Sequence, residues 1–597
     1  MRKKIFTIII NTFFLFALLF TFACRGGAAG NISARSYEST GYVEHGVTNS
    51  NLLGKNNIDV YYVGSSKSSW ATEFKDRFFE EKNLQLAIDT AASSKKQKYV
   101  FIQQGIYIPT STPNPVNEAG NKPRNVHFSL RNNVTVIGGY AGYEKDGVPK
   151  GGETILSGDL KNNDVIKYDS NGTATITKNE DNAYHVFFHP EGTDLNSTAI
   201  LKNVTIRGGN ASEQVARSSS TAGGGMYNDG SSPKLIGCKF VGNMAQGSGG
   251  GMYNNINKLT LLSCTFENNW ALTGGGMYND ECELVISDCV FTGNTSYDGA
   301  GSYMTSPGYG GGMYNYYCKL SATGCKFVGN TSADRGGGMY NHRSDSVVKL
   351  CVFERNKAHI SGGIETWGGK VTITDCKFID NITGGGAGGV SFWDAKSTIK
   401  GCEFTGNKAG TSGGGIYIDE SKLAVKNCIF TNNISHKDGD NSSRSGGGGG
   451  IYCEKSKLTI TGCNFTGNAT YVVGYGGGGG IYSEQSTLTL KRCTFTSNTA
   501  ARGGGGGCAF YGCHIQLFGC TFTGNNAYYS GGGIKSYVSR SLIVNCKITE
   551  NTSINSGGGI HSQKASINSG GGIHSNLHGE TLIDNSISKN VPDNIVR

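Results

Sequence analysis

Proline is scarce in this chain of 597 residues, with 9 in all, and charged residues make up only 17%. With so little proline and no Gly-x-y period, a collagen-like fibre is excluded, although glycine reaches 92 residues, about twice the usual share. No stretch of ten or so residues sets apolar side chains at i, i+3 and i+4, which excludes a helical repeat that glycine would in any case weaken. Apart from the lone spacing Cys508/Cys513, no Cys-x2–4-Cys occurs and no second such pair faces it, so the 18 cysteines do not read as a zinc site, and no metal or cofactor is expected. The net charge is +9, with Arg2, Lys3 and Lys4 supplying three of it. The remaining basic residues look scattered rather than gathered into the stripe a nucleic acid needs, so no nucleic-acid partner is expected.

What is abundant is a repeated phrase. Cys-x-Phe-x-x-Asn starts at Cys238, Cys264, Cys289, Cys325, Cys351, Cys376, Cys402, Cys428, Cys463, Cys493 and Cys520, with an Ile-for-Phe variant at Cys546. Most steps are 25 to 27 residues, and the exceptions are 36, 35 and 30. A period of that size means a solenoid or a propeller. The local period is two. After each glycine run comes an apolar residue or Cys, such as Met252, Met277, Ile416 or Cys508, and then a site that accepts Tyr but also Glu365, Lys535 or His561. The first site therefore points inward and the second outward.

A second apolar phrase, Leu-x-φ, precedes the cysteine, as in Leu458/Ile460 before Cys463/Phe465. The parity slips by one between them, which a straight strand cannot do without turning its side chains to the wrong face. A corner must lie near Ser263, Asp288, Gly401, Asn427 and Gly462. Three short strands per coil, stacked in parallel, make a right-handed parallel β-helix, an all-β fold whose hand follows the general crossover rule. The interior becomes columns of Met/Ile, Leu, Cys and Phe. The Asn that closes each coil should bond up and down its own column. Twelve cysteines fall in one inward column and read as small buried hydrophobes. The stretch Leu84–Ala92 reads as a short helix over the open N-terminal end. The phrase SINSGGGIHS at 553–562 returns at 566–575, half a coil later, so one copy should leave the register.

The chain opens with a basic Met1–Lys4, an apolar Ile5–Ala23 and then Cys24. This is the pattern of a secretory signal, and the residues around Cys24 resemble a bacterial lipoprotein signal, which implies lipidation at Cys24 and a membrane contact through that lipid. Thr21 stands where that pattern has Leu, and cleavage after Thr21-Phe22-Ala23 by an ordinary signal peptidase is the alternative. The organisation expected is a signal at 1–23, the anchor cysteine and tether at 24–57, a cap and irregular first coils at 58–210, regular coils at 211–590 and a tail at 591–597.

The repeated GGGMYN with FVGN, FENN and FTGN resembles the polymorphic outer-membrane protein repeats of bacteria. The stretch from LQLAIDTAA through KYVFIQQGIYIPTS to ETILSGDL resembles the opening of pectin-lyase-like β-helix surface proteins. The resemblance covers residues 58–590 and implies an adhesin-like protein at the outer membrane or cell surface. Members of the autotransporter type end in a β-barrel, and no such strands follow the repeats here.

Catalysis on a β-helix would need outward acids on neighbouring coils, and the sequence shows no acidic column. The expectation is a non-enzymatic surface protein that binds a host or cell-surface protein or glycan. A polysaccharide lyase or glycoside hydrolase is the alternative, and a purely structural surface protein is a third reading. Two features are candidates for ligand contact. One is a stripe of Tyr227, Tyr253, Tyr278, Tyr314, Tyr340, Tyr417, Tyr452 and Tyr482, read as exposed at coil spacing. The other is the corner carrying the insertions at 295–309, 434–447 and 469–476, which offers His436, Lys437, Asp438, Asp440, Arg444, Tyr471 and Tyr475. Asp438-Gly439-Asp440-Asn441-Ser442 resembles the start of a calcium loop, but the twelfth position is Gly449, where an acid is required.

The anchor is testable directly. Replacing Cys24→Ala is expected to abolish incorporation of a labelled fatty acid; undiminished labelling would show that the lipid is elsewhere.

Overall fold

The computed structural model describes residues 58–592, apart from short segments at 69–70, 73–74, 115–121, 141–151, 169–173, 214–218, 299–307, 437–446, 473–476, 555–556, 564–572 and 575–579. Cys24 and the expected signal and tether lie outside the described residues. The described chain is a parallel β-helix. Each coil contributes one strand to each of four long sheets, as in Met252–Asn255, Lys258–Leu262, Thr265–Glu267 and Trp270–Ala271. We call these the tyrosine, leucine, phenylalanine and edge sheets. The edge strand is a difference from the expected three per coil, for a simple reason. It is two residues long, too short for alternation to show in the sequence.

The strands stack in register. Met252 pairs with Met277, Leu259 with Leu284 and Phe266 with Phe291. Like side chains therefore meet along columns. Phe266 and Phe291 lie 4.8 Å apart between ring centroids, 3° from parallel, and the column runs from Phe240 to Phe522 with its phenylalanines fully buried. The cysteines of the repeated phrase are all buried. Their thiols donate to backbone carbonyls, as Cys376 does to Thr374 at 3.2 Å, so the column is satisfied without leaving the interior.

The corners sit where the parity slip put them. Ser263, Asp288, Asn427, Gly401 and Gly462 all adopt φ between 52° and 64°. A single left-handed residue reverses which face the next side chain takes and starts the phenylalanine sheet. A second such residue stands just before each closing Asn, as at Asn268, Asp380 and Asn432. Asn, Asp and Gly tolerate this conformation best, which explains the composition of Phe-x-x-Asn.

The closing asparagines form a continuous ladder. The Asn407 side-chain nitrogen donates to Asn433 Oδ1 at 2.9 Å and to the Phe378 carbonyl at 2.8 Å. Its own oxygen accepts from the backbone and side-chain nitrogens of Asn381, at 3.1 and 2.9 Å. The pattern runs from Asn243 to Asn590. A second ladder, unforeseen, joins Asn228, Asn254, Asn279, Asn315 and Asn341 on the inner side of the tyrosine sheet.

The N-terminal end is closed by the helix Leu84–Ser93, which buries Leu84, Ala87, Ile88 and Ala91 against the first coils. Gln85 accepts from the Ser129 backbone nitrogen and donates to its carbonyl, satisfying the first rung. At the other end, Ile560 pairs with Ile573 while the leucine sheet resumes with Ser541 beside Glu580. Among the described residues, the duplicated phrase thus adds a rung to the tyrosine sheet before the leucine sheet resumes.

Substituting Asn407→Ala strands the Asn381 amide and the Phe378 carbonyl in the interior. The expected loss is about 1–3 kcal/mol for each buried group left unpaired. Native-state hydrogen exchange should show the loss concentrated on the coils holding Asn381 and Asn433, and a uniform loss along the chain would contradict the ladder as a nearest-neighbour device.

Candidate functional site

The tyrosine sheet carries two outward columns, and the one expected to receive a ligand is the covered one. The tyrosines are in register, Tyr227 beside Tyr253 and Tyr417 beside Tyr452, and their rings stack, with Tyr253 and Tyr278 5.4 Å apart and 2° from parallel. Yet Tyr227, Tyr314, Tyr340, Tyr417, Tyr452 and Tyr482 are buried, and Tyr253 and Tyr278 are half-buried. This corrects the exposed stripe. The chain leading into each glycine run folds back over the outer face, so that a Cβ on Gly249 would stand 2.3 Å from the Met252 carbonyl. Tyr309, from that returning segment, lies 5.4 Å from Tyr340. The tyrosines are a secondary core.

The next outward column, two residues further along each strand, is the accessible one. In register it reads Tyr316, His342, Trp367 and Trp393, then Asp419, Glu454 and Glu484. The last three are outward acids on neighbouring coils, which corrects the reading that no acidic column exists. The covered tyrosines serve them: Tyr452 and Tyr482 donate to Glu454 and Glu484, each at 3.1 Å. Burial, reinforced by Glu454, raises the Asp419 carboxyl above its usual range. No residue type repeats along the full column, so coil phase alone gave no signal for it.

Two coils before the acids begin, a charge stands inside the tyrosine column. Glu365 takes the place of Tyr340's successor and is fully buried. Its Oε1 lies 2.6 Å from Arg335 Nη1, and its Oε2 has no partner. Arg335 stands 4.7 Å from the Trp367 ring, with Asp334 at 3.5 Å, and Asp334 in turn meets His359. Burial pushes Glu365 up to about 7, opposed by Arg335 and reinforced by Asp334.

Of the insertion residues, His436 and Tyr471 come together edge to face at 5.5 Å, as expected for successive coils. Lys437, Asp438, Asp440, Arg444 and Tyr475 lie outside the described residues.

Sequence reasoning also missed a cleft of about 370 Å³ on the first coils of the phenylalanine sheet, lined by Glu153, Asp159, Asp164, Thr205, Arg207 and Lys239. It lies where the chain leaves the coil for a hairpin, Val165–Tyr168 against Ala174–Thr177. Asp159 is committed to structure, accepting from the backbone nitrogens of Asn163 and Asp164. Burial pushes Asp164 up to about 6, helped by Asp159 and Asp181 and opposed by the Asn182 amide and Arg207. Glu153 accepts from Thr205 and lies 4.0 Å from Lys239. A carboxyl whose proton affinity burial has raised, in a cleft that also holds Glu153, can exchange protons with a bound ligand.

A profile of the right-handed β-helix region family matches residues 317–484. Among solved structures, the chain is similar to the A-module of mannuronan C-5 epimerase AlgE6 of Azotobacter vinelandii, at 12% identity over 85% of this chain and 94% of that one, with a TM-score of 0.23. It is also similar to PfbA, a surface adhesin of Streptococcus pneumoniae, at 11% identity over 78% and 86%, with a TM-score of 0.19. No curated protein matches the chain.

The Arg335–Glu365 pair yields a pH prediction. Glu365 ordinarily titrates near 4.5 and in the fold near 7. The folded state therefore keeps a proton that the unfolded state has lost, and this group's contribution to stability falls as pH rises from about 4.5 to 7. Glu365→Gln should flatten that part of the stability profile. Arg335→Ala should cost about 3–5 kcal/mol at pH 8, where a buried carboxylate is left uncompensated, and much less at pH 5. Equal losses at both pH values would refute the assignment.

Proposed function

We propose that this is an exported, lipid-anchored surface protein of adhesin type, which binds a host or neighbouring-cell protein or glycan without transforming it. One observation carries the reading: the inward columns hold their residue types over many coils while the outward columns change chemistry every few. Stacked at ~4.8 Å per rung, the 16 strands of the phenylalanine sheet span about 70 Å. The ladders within fix the step from rung to rung, and surface residues far apart in sequence keep fixed spacings. Such a rod is suited to multivalent contact with an extended ligand. Exposed Trp367 and Tyr317, with His342, Arg343 and the acids that follow, supply varied contact chemistry along one side.

The cleft favours a second reading, a β-helix enzyme acting on polysaccharide, with Asp164 as proton donor and Glu153 as the second carboxylate of the same cleft.

The two separate in one experiment. The mature chain is expected to bind saturably on an array of host glycans and matrix proteins, and to leave pectins and glycosaminoglycans at their original chain length. Shortened chains, with shortening lost in Asp164→Asn and Glu153→Gln, would replace the adhesin reading by the enzymatic one.

A further inference from the structure

The leucine sheet bears a basic surface that the sequence hides. Its strands present three outward positions each, and register stacks them into three columns. In the first, Lys396 lies beside Lys422 and Lys422 beside Lys457. Lys370 extends the column by one coil, since the Lys396 nitrogen bonds to the Gly369 carbonyl as the Lys422 nitrogen does to Ala395. In the third column Lys400 lies beside Lys426, and Lys491 follows two coils on, after Thr461. Between them run Thr372, Thr398, Ala424, Thr459 and Thr489. The expectation of scattered charge fails because lysines 26 to 35 residues apart in sequence are nearest neighbours in space.

Two features set this surface apart from ordinary solvated lysines. Earlier in the same column the signs alternate: Lys258 and Lys319 both pair with Glu283, at 3.0 and 3.7 Å. From Lys370 onward the sign is uniform, the side chains are exposed, and none of these lysines is in an ion pair among the described residues. The acids that bound these strands, Asp375, Asp394 and Glu420, stand at the corners. Like charges on adjacent strands at ~4.8 Å destabilise a sheet. A surface that keeps them on four successive rungs is at its most stable with a counter-charge laid along it.

We propose that this face binds a linear polyanionic polysaccharide lying along the helix axis, a proposal that rests on the binding reading given above and names its ligand class. The lysine columns are four residues apart along each strand, about 13 Å at ~3.3 Å per residue, and flank a floor of small side chains. The floor hydroxyls can exchange hydrogen bonds with sugar hydroxyls while the ammonium groups meet sulfate or carboxylate from both sides. No aromatic residue stands on this face between Lys370 and Lys491, so the stacking platform that single-stranded nucleic acid requires is missing. Nor does the face offer the apolar band an anionic membrane surface would take up.

The test uses the mature full-length chain on immobilised heparin, with polygalacturonate, neutral dextran, oligothymidylate and phosphatidylserine vesicles as competitors. Wild type should bind heparin with strong salt dependence and ignore dextran. Competition by polygalacturonate would assign the recognised group to anionic charge in general, and its failure to compete would assign it to sulfate. The triple variant Lys396→Gln, Lys422→Gln, Lys457→Gln should bind at least about tenfold more weakly and lose about one unit of log–log salt slope per lysine removed. The control Lys326→Gln, Lys377→Gln, Lys547→Gln, on the phenylalanine sheet, removes the same charge and should change affinity less than about twofold. Equal weakening in both variants would reduce the effect to net charge and overturn the proposal, as would oligothymidylate or vesicles competing as well as free heparin. Undiminished binding of a neutral glycan or protein by a triple variant that has also kept its heparin affinity overturns the lysine face and leaves the adhesin reading standing; binding of nothing on any array overturns both.

Discussion

The structure depends on the closure of each coil by a buried asparagine. An amide in that position has two hydrogens and two lone pairs, and all four are used: one hydrogen reaches the next rung's asparagine, one the preceding phenylalanine carbonyl, and the oxygen accepts twice from the rung before. The interior has a low dielectric, where an unmet amide costs about 1–3 kcal/mol and a chain of met ones polarises its members. The ladder therefore tolerates neither a shift of one residue nor a change in rise. The phenylalanine rings stack at 4.5 to 5.1 Å, the spacing of paired parallel strands, which the asparagine ladder shares.

That constraint explains the glycine content. Bringing the chain from the ladder back to the next Met–Tyr strand takes it across backbone already in place. A Cβ on Gly276 would lie 2.5 Å from the Gly312 carbonyl, and the same approach recurs from coil to coil. Glycine here permits contact between main chains rather than flexibility. Its consequence is the covered tyrosine column. The returning segment is pressed so close to the outer face that aromatic rings fill the space between, and a side chain that leaves the sheet outward still ends in a core.

The inner architecture was legible in the sequence to the extent that it repeats. The parity slip between Leu-x-φ and Cys-x-Phe placed corners near Ser263 and Gly462, where the left-handed residues stand, because alternation is strict and one left-handed residue is the shortest way to break it. The stacking of Asn269 and its successors followed from the same phase. What repetition does not govern stayed hidden. The edge strands are too short for a period. The inner asparagines at Asn254 and its neighbours sit in a phrase whose Met and Tyr drew the reading toward side chains of obvious polarity. The cleft around Asp164 comes from irregular first coils and a hairpin, where no second copy exists for comparison.

The outward columns failed to register for a different reason, and that reason bears on function. Selection for the fold acts on inward positions and corners; outward positions answer only to neighbours one rung away. Along the leucine sheet they alternate in sign while the local demand is charge balance, as at Lys258, Glu283 and Lys319, and cease to alternate from Lys370. Along the tyrosine sheet, in those same coils, aromatic residues give way to Asp419, Glu454 and Glu484. One segment of the helix thus carries lysines on one face and acids on another. The lysines repel along their columns, while the acids are partly offset by Lys455, 3.0 Å from Glu454. Their coincidence in the stretch that also carries the buried Arg335–Glu365 pair at its start marks where the scaffold stops serving only its own stability.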